Sequence, residues 1–282
     1  LVRHSPLHPS LRGWLQQSAM SAIFPESNHY GGRADWLREL ARAFPHFLRA
    51  RFLILEREPR PLDFRFCCRR HLLYTPSVHP QYLSDPHLRD AMCSAAPAGP
   101  RRFRVTFLGN RQPPERTARL ESCLRELRKT RDVAIAAGYP SERRGGAEAL
   151  WIEYDAAAGT RGLDPLDYTA ALGETECCLR PPGWGRNWAH RTIEACMRGA
   201  IPVIEDPELY NLPFADGENC ILVAGADWSG AVRRCLASTP AEIARMREDV
   251  LRLRESRLRP DVAAIQFRRA LLAHAAPERP AH

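Results

Sequence analysis

Thr175-Glu176-Cys177-Cys178-Leu179-Arg180, Pro181-Pro182-Gly183-Trp184-Gly185-Arg186-Asn187, Trp188 to Arg198, Gly199, and Ala200-Ile201-Pro202-Val203-Ile204 form one continuous stretch. Its reading decides the fold. The first six residues are a short, mostly apolar strand, and the Pro- and Gly-rich run breaks it. Trp188 to Arg198 places Ala189, Ile193, Ala195-Cys196 and Met197 at the spacing of a helix with one buried side. Gly199 ends that helix, because glycine accepts a left-handed backbone at no steric cost. Ala200 to Ile204 follows as a buried strand, with Pro202 near its start, where a missing N–H is tolerated. The stretch closes with a loop and a last short strand at Val223. A strand that feeds a glycine-rich loop and then a helix N-terminus is a common phosphate holder. Arg186, His190 and Arg191 lie at that same end. The segment therefore reads as a nucleotide-diphosphate pocket, with Glu194 one turn into the helix.

Working outward, Arg104 to Asn110 is a strand that ends at Gly109, followed by a helix from Glu115 to Lys129. Asp132–Ala136 and Leu150–Tyr154 are strands, and Pro165–Leu172 is a short helix. Strands alternating with helices predict a parallel α/β sheet whose ligands bind at the carboxyl ends of the strands. Gly109-Asn110, Gly183–Arg186 and Glu205-Asp206 all fall at such ends, so three separate loops point to one edge. Beyond Val223, Asp227–Leu236, Pro240–Arg257 and Pro260–His274 read as helices, the second capped by Thr239.

The N-terminal part contains a strand at 19–24, a helix at 34–44, and strands at 51–55 and 64–74. The Pro- and Ala-rich run 95–100 is the best linker. Three units follow: a reduced Rossmann-like domain over 1–100, a second Rossmann-like domain over 101–259, and a C-terminal helix over 260–282 that can cross back.

The residues Glu176 to Gly183, Arg191-Thr192-Ile193-Glu194-Ala195, Gly199 to Ile204 and Leu212-Pro213-Phe214 resemble the nucleotide-sugar domain of exostosin-like glycosyltransferases. More broadly they resemble the C-terminal half of GT-B enzymes. The resemblance covers about fifty residues. It implies a fold of two Rossmann-like domains and a UDP- or GDP-sugar donor, with no separate cofactor. It also implies transfer to a hydroxyl of a glycan or glycoconjugate acceptor. A glutamate at the place of Glu194 holds the ribose in that broader family. Retaining members often carry a second acidic residue eight positions earlier. That position is Arg186 here, which points to an inverting transfer. No Asp-x-Asp motif ends a strand, so no metal is expected.

Each candidate has a functional and a structural reading. Glu194 suits a pair of sugar hydroxyls, because a carboxylate accepts two hydrogen bonds; the alternative is a solvated helix glutamate. Arg186 and Arg191 suit the leaving diphosphate, or are two surface arginines in an arginine-rich chain. Arg111 follows the Gly109 turn as a further phosphate ligand, and Asn187 is a ligand contact or a helix cap. Asp206, Tyr210 and Asn211 occupy the loop that the family uses near the donor. Leu212 to Phe214 reads as packing, and Asp216 to Asn219 as a turn. Gly31-Gly32 looks like the N-terminal glycine loop of GT-B enzymes, or an ordinary strand-to-helix turn. The base for the acceptor hydroxyl is sought among His29, Asp35, Glu56, Asp63 and His79, with His29 and Asp35 leading.

The chain has 282 residues, of which 44% are hydrophobic, which is enough for a large core and excludes a disordered chain. The net charge is +8 and Lys129 is the only lysine. Its arginines are scattered and lack an accompanying aromatic motif, so an anion pocket in an arginine-rich chain is preferred to a nucleic-acid surface. A non-catalytic nucleotide- or carbohydrate-binding module remains the second reading. No apolar run reaches the ~20 residues of a membrane span. The first residue is Leu1, not methionine, which is compatible with an upstream signal or membrane anchor that has been removed, and leaves the compartment open. Nine cysteines without a C-x-x-C pair make a zinc site unlikely and read mainly as small buried hydrophobes, with one or two disulfides still open.

Overall fold

The computed structural model describes residues 53–55, 72–74, 78, 82, 85–94, 99–110, 114–129, 133–136, 149–153, 163–182, 190–210, 212–263 and 265–266. The expected strand at 19–24, the helix at 34–44 and the far half of the last helix lie outside these residues. Two short strands, β1 (Leu53–Leu55) and β2 (Leu72–Tyr74), pair in parallel, Leu53 with Leu72 and Leu55 with Tyr74. Helix α1 (Pro86–Cys93) follows. Asp85 caps it by accepting from the His87 and Leu88 N–H groups.

Among the described residues the main sheet has six strands: β3 (Phe103–Gly109), β4 (Val133–Ala136), β5 (Ala149–Glu153), β6 (Thr175–Leu179), β7 (Ile201–Ile204) and β8 (Ile221–Leu222). Their spatial order is β4-β5-β3-β6-β7-β8, and every pairing is parallel. Helix α2 (Pro114–Leu127) follows β3, and α3 (Pro165–Gly173) precedes β6. Helix α4 (His190–Met197) joins β6 to β7, and α5 (Trp228–Ala237) and α6 (Pro240–Leu253) follow β8. The chain runs from β3 outward on one side, then returns to lay β6, β7 and β8 on the other. The carboxyl ends of β3 and β6 therefore flank a topological switch point, where connections leave in opposite directions and a crevice opens.

The strands are apolar on both faces, as a covered parallel sheet requires. Val105, Phe107, Trp151, Cys177, Leu179 and Val203 join one core cluster. The alternate residues Leu108, Leu150, Ile152 and Cys178 join another. Leu120, Cys123, Leu124 and Leu127 of α2, and Trp228, Ala231, Val232 and Cys235 of α5, recur at one-face helical spacing, and all are buried. Val78, Tyr82 and Met92, ahead of the run at 95–100, belong to the first cluster as well.

Pro202 sits in β7 without breaking it. The Val203 carbonyl accepts from the Arg180 N–H on the β6 side, so Pro202 faces the β8 side, and β8 pairing begins only at Val203. Gly199 adopts φ +68 at the end of α4. Thr239 and Glu242 form a reciprocal capping box at the start of α6. The predicted helix 240–257 instead leaves α-geometry after Leu253 and widens into a π-type turn over Arg254–Leu258. Within that turn Arg254 is buried and donates to the Cys93 and Ser94 carbonyls. Arg198 reaches the same helix end through the Ala91 and Ser94 carbonyls, so two cations meet the negative pole of α1.

Of the seven described cysteines, all have free thiols; six are buried and Cys93 is partly buried. Cys67 and Cys68 lie outside the described residues. Among the described residues, no helix is long and apolar enough to cross a membrane, and no group of three His, Cys, Asp or Glu residues is placed to hold a metal.

Candidate functional site at the sheet switch point

The site is built where β3, β6 and β7 end side by side. Strand β3 ends in Leu108-Gly109. The Leu108 carbonyl accepts from Arg191 Nη1 at 2.9 Å, which swings an α4 side chain across to the end of a strand 83 residues away. Gly109 makes this possible. A Cβ there would collide with Arg191 Nη1 and come within 3.1 Å of the Phe107 ring. Gly109 is thus a space-maker for Arg191.

Arg116, in the first turn of α2, ties the β3 and β6 loops together. Its Nη1 donates to Asn110 Oδ1, its Nε to the Pro182 carbonyl and its Nη2 to the Pro181 carbonyl, each at 2.9 Å. Burial first, and then repulsion from Arg191 and Arg180, lower its pKa to about 10. Burial likewise lowers Arg191, against the favourable charge of Glu194. Arg180, the residue directly after β6, is 5% exposed. Its Nη2 donates to the Cys178 thiol at 2.8 Å. Three guanidinium groups from three elements thus occupy one neighbourhood.

Glu194 is 2% exposed, which excludes the solvated-glutamate reading. The Tyr168 hydroxyl, from α3, donates to its Oε2 at 2.9 Å. Burial drives the Tyr168 hydroxyl well above its ordinary pKa, so it remains a donor. On the β7 side, Thr192 and Tyr210 share a hydrogen bond of 2.8 Å, and Tyr210 meets the Phe214 ring edge-on at 5.6 Å. These contacts lash α4 to the loop after β7. The packing role expected of Leu212 to Phe214 is what the structure shows. Asp216 to Asn219 is a turn with Gly217 at φ +71; Asp216 pairs with Arg234, and Asn219 caps the Ala215 N–H.

The structure gathers Gly109, Arg191 and Glu194 at the switch point and sets Glu205 and Asp206 at the end of the adjacent β7. Glu205 is structural: its Oε1 accepts from Trp228 Nε1 at 2.9 Å and from Arg119 Nε at 3.2 Å. Asp206 is partly buried in the same loop. Arg111, Gly183, Arg186 and Asn187 lie outside the described residues, as do Gly31, Gly32 and the base candidates His29, Asp35, Glu56, Asp63 and His79. The sequence reading did not single out Arg116, Arg180 or Tyr168. Arg180 carried a usable signal: an arginine closing a mostly apolar, buried parallel strand stands at the ligand edge of the sheet. Nothing local marks Arg116 or Tyr168.

No protein-family model matches the chain, and no curated protein matches it in sequence. Solved structures do match in shape. Sucrose-phosphate synthase from Thermosynechococcus elongatus has 14% identity and a TM-score of 0.50, over 94% of this chain and 71% of that one. TarM has 8% identity and a TM-score of 0.51, over 88% of this chain, which spans half of TarM. WaaG, a glycosyltransferase involved in lipopolysaccharide biosynthesis, has 14% identity and a TM-score of 0.48, over 91% of this chain and 80% of that one. At such identities the likeness concerns shape alone. The parallel α/β sheet is consistent in shape with the Rossmann-like GT-B fold.

Proposed function

We propose that the protein is a glycosyltransferase that moves a sugar from a nucleotide-diphosphate sugar to a hydroxyl of a glycan or glycoconjugate. One observation carries this reading: a buried carboxylate, Glu194, interacts with the guanidinium groups of Arg180 and Arg191, with Arg116 next to both, at the switch point of a parallel sheet. A donor nucleotide has the matching parts. Its ribose hydroxyls suit a carboxylate acceptor, and its diphosphate suits arginine forks. Neutralising the departing diphosphate is what an inverting transfer asks of this side. Arg186, Arg111, Gly183 and Asn187 complete the donor side, with Asp206 near the sugar. The reaction is read as inverting and metal-independent.

In this reading residues 101–259 carry the donor. Residues 1–100 carry the acceptor, the Gly31-Gly32 loop and the base, with His29 and Asp35 the leading choices. The exostosin-like assignment rests on the residue match from Glu176 to Phe214. The test is a panel of UDP- and GDP-sugars assayed for donor hydrolysis and for transfer to glycan acceptors. Turnover of one donor, with release of the nucleoside diphosphate, supports the proposal. Tight donor binding without hydrolysis or transfer favours the non-catalytic module, and no binding of any donor removes both the glycosyltransferase and the nucleotide-binding module.

A further inference from the structure

Six of the seven described cysteines are buried, and two of them meet across the core. Cys177 lies in β6 and Cys235 in the last turn of α5. Both are wholly buried, and both belong to the first core cluster. Their thiols are hydrogen-bonded to each other. The surrounding fold fixes this contact, because α5 is pinned at both ends. At its start Trp228 Nε1 donates to Glu205, directly after β7, at 2.9 Å. Just past its end the Ser238 carbonyl accepts from Arg104 Nη2 at 2.8 Å. Arg104 stands beside Val105, the residue of β3 that pairs with Cys177. The two anchors lay α5 along the sheet and bring Cys235 over Cys177. The pairing is also selective. Cys178, the next residue, points to the opposite face, belongs to the second cluster and accepts from Arg180. Sulfurs that already touch, on two elements held in place, need only a small approach to bond.

We propose that Cys177 and Cys235 form an oxidative modification site, a disulfide that locks β6 to α5 when the chain folds in the presence of a low-molecular-weight disulfide such as oxidised glutathione. The inference is independent of the nucleotide-sugar reading. One protein thiolate attacks the glutathione disulfide, forms a mixed disulfide and expels one glutathione thiolate. The second protein thiolate attacks the protein sulfur of that mixed disulfide, forms the Cys177–Cys235 bond and expels the second glutathione. The chain thereby loses two electrons and two protons, and both glutathiones leave as thiols. The timing follows from burial. The hydrogen bond to Cys235 and desolvation hold the Cys177 thiol well above its ordinary pKa, so the folded pair supplies little thiolate. The bond therefore forms before α5 seats on the sheet, and the finished core then shields it from reductant. It closes a loop that contains α4, β7 and β8, and with them Arg191 and Glu194.

The experiment refolds the full, reduced chain in two buffers, one with oxidised and reduced glutathione at an oxidising ratio, the other with reduced glutathione alone. Free thiols are then blocked under denaturing conditions, and the peptides are mapped by mass spectrometry without reduction. The oxidised chain carries a linked peptide pair containing Cys177 and Cys235, and the reduced chain carries both blocked. The linked chain melts higher than the reduced one by roughly 5–10 °C, as expected when a long loop is closed in the unfolded state. This comparison needs no variant. A chain that does not refold is instead produced once through a secretory host and once in a reducing cytosol, and mapped in the same way. Cys235→Ala forms no bond at Cys177 and melts alike from both buffers. Free thiols at both positions in the oxidised chain overturn the assignment, as does a bond from either to another cysteine. A linked chain that melts no higher than the reduced chain overturns it too, since the bond would then form only by distorting the packing.

Discussion

Neutralising Glu194 gives the most informative perturbation, because the structure assigns its carboxylate two opposed electrostatic tasks. It lies buried and accepts from Tyr168 Oη at 2.9 Å, while Arg191 gains from its charge. Glu194→Ala removes the acceptor of a buried hydroxyl and the counter-charge of the arginines. Losing a charged hydrogen bond costs about 1.5–3 kcal/mol, and an orphaned buried donor adds to it, so about 3 kcal/mol is expected. That amounts to a fall of roughly 6–12 °C in melting temperature for a chain of this size. Glu194→Gln keeps an oxygen for Tyr168 and should fall by less than half as much. The ligand response then has a sign. A carboxylate that holds ribose hydroxyls also repels the neighbouring diphosphate. Glu194→Gln should therefore weaken nucleoside diphosphates by about tenfold or more while strengthening inorganic pyrophosphate severalfold. Titration calorimetry on wild type and Glu194→Gln, with both probes, reads this directly. Parallel losses for the two probes, or none, would refute the assignment of Glu194 to the sugar side of the nucleotide.

Three further outcomes follow from the same geometry. Gly109→Ala drives a methyl group into Arg191 Nη1, the far end of a flexible side chain; nucleoside diphosphate affinity should drop about tenfold with little change in melting temperature. Arg116→Lys keeps the charge but loses the planar fork that holds the Pro181 and Pro182 carbonyls and Asn110. It should lower the melting temperature and raise the donor KM, measured by thermal melting and initial rates, whereas unchanged values would show that the loop needs no such clamp. Burial pushes the thiols of Cys123 and Cys220 up to about 12. Alkylation mapped by mass spectrometry should leave both unlabelled until denaturant unfolds the chain, and early labelling would contradict the buried packing.

Much of the architecture is legible in the residues themselves. β3, β6 and β7 are apolar runs bounded by Gly, Pro or charge, and α2 and α5 show one-face spacing, so element type follows from local pattern. The convergence of loops at one edge follows in turn, because parallel strands put their carboxyl ends together. Strand order does not follow. β4 comes next after β3 in the chain, yet β5 takes the place beside β3 and sends β4 to the edge. Both choices satisfy the same hydrophobic pattern.

The site divides along the same line. Glu194 and Arg191 were readable because they stand behind a glycine-rich loop at a helix start. Their meaning was not, since a surface glutamate and a buried one are spelled alike. What separates them is Tyr168, 26 residues earlier, and the environment that α3 and β6 build around the carboxylate. Arg116 becomes a clamp only because Pro181 and Pro182, 65 and 66 residues later, are folded against it. The chain by itself thus determined the strands, the helices and the edge at which they open. Tertiary packing alone decided which charges lie out of water and what they face there, because desolvation and Coulomb energy depend on distances in space that no spacing along the chain encodes.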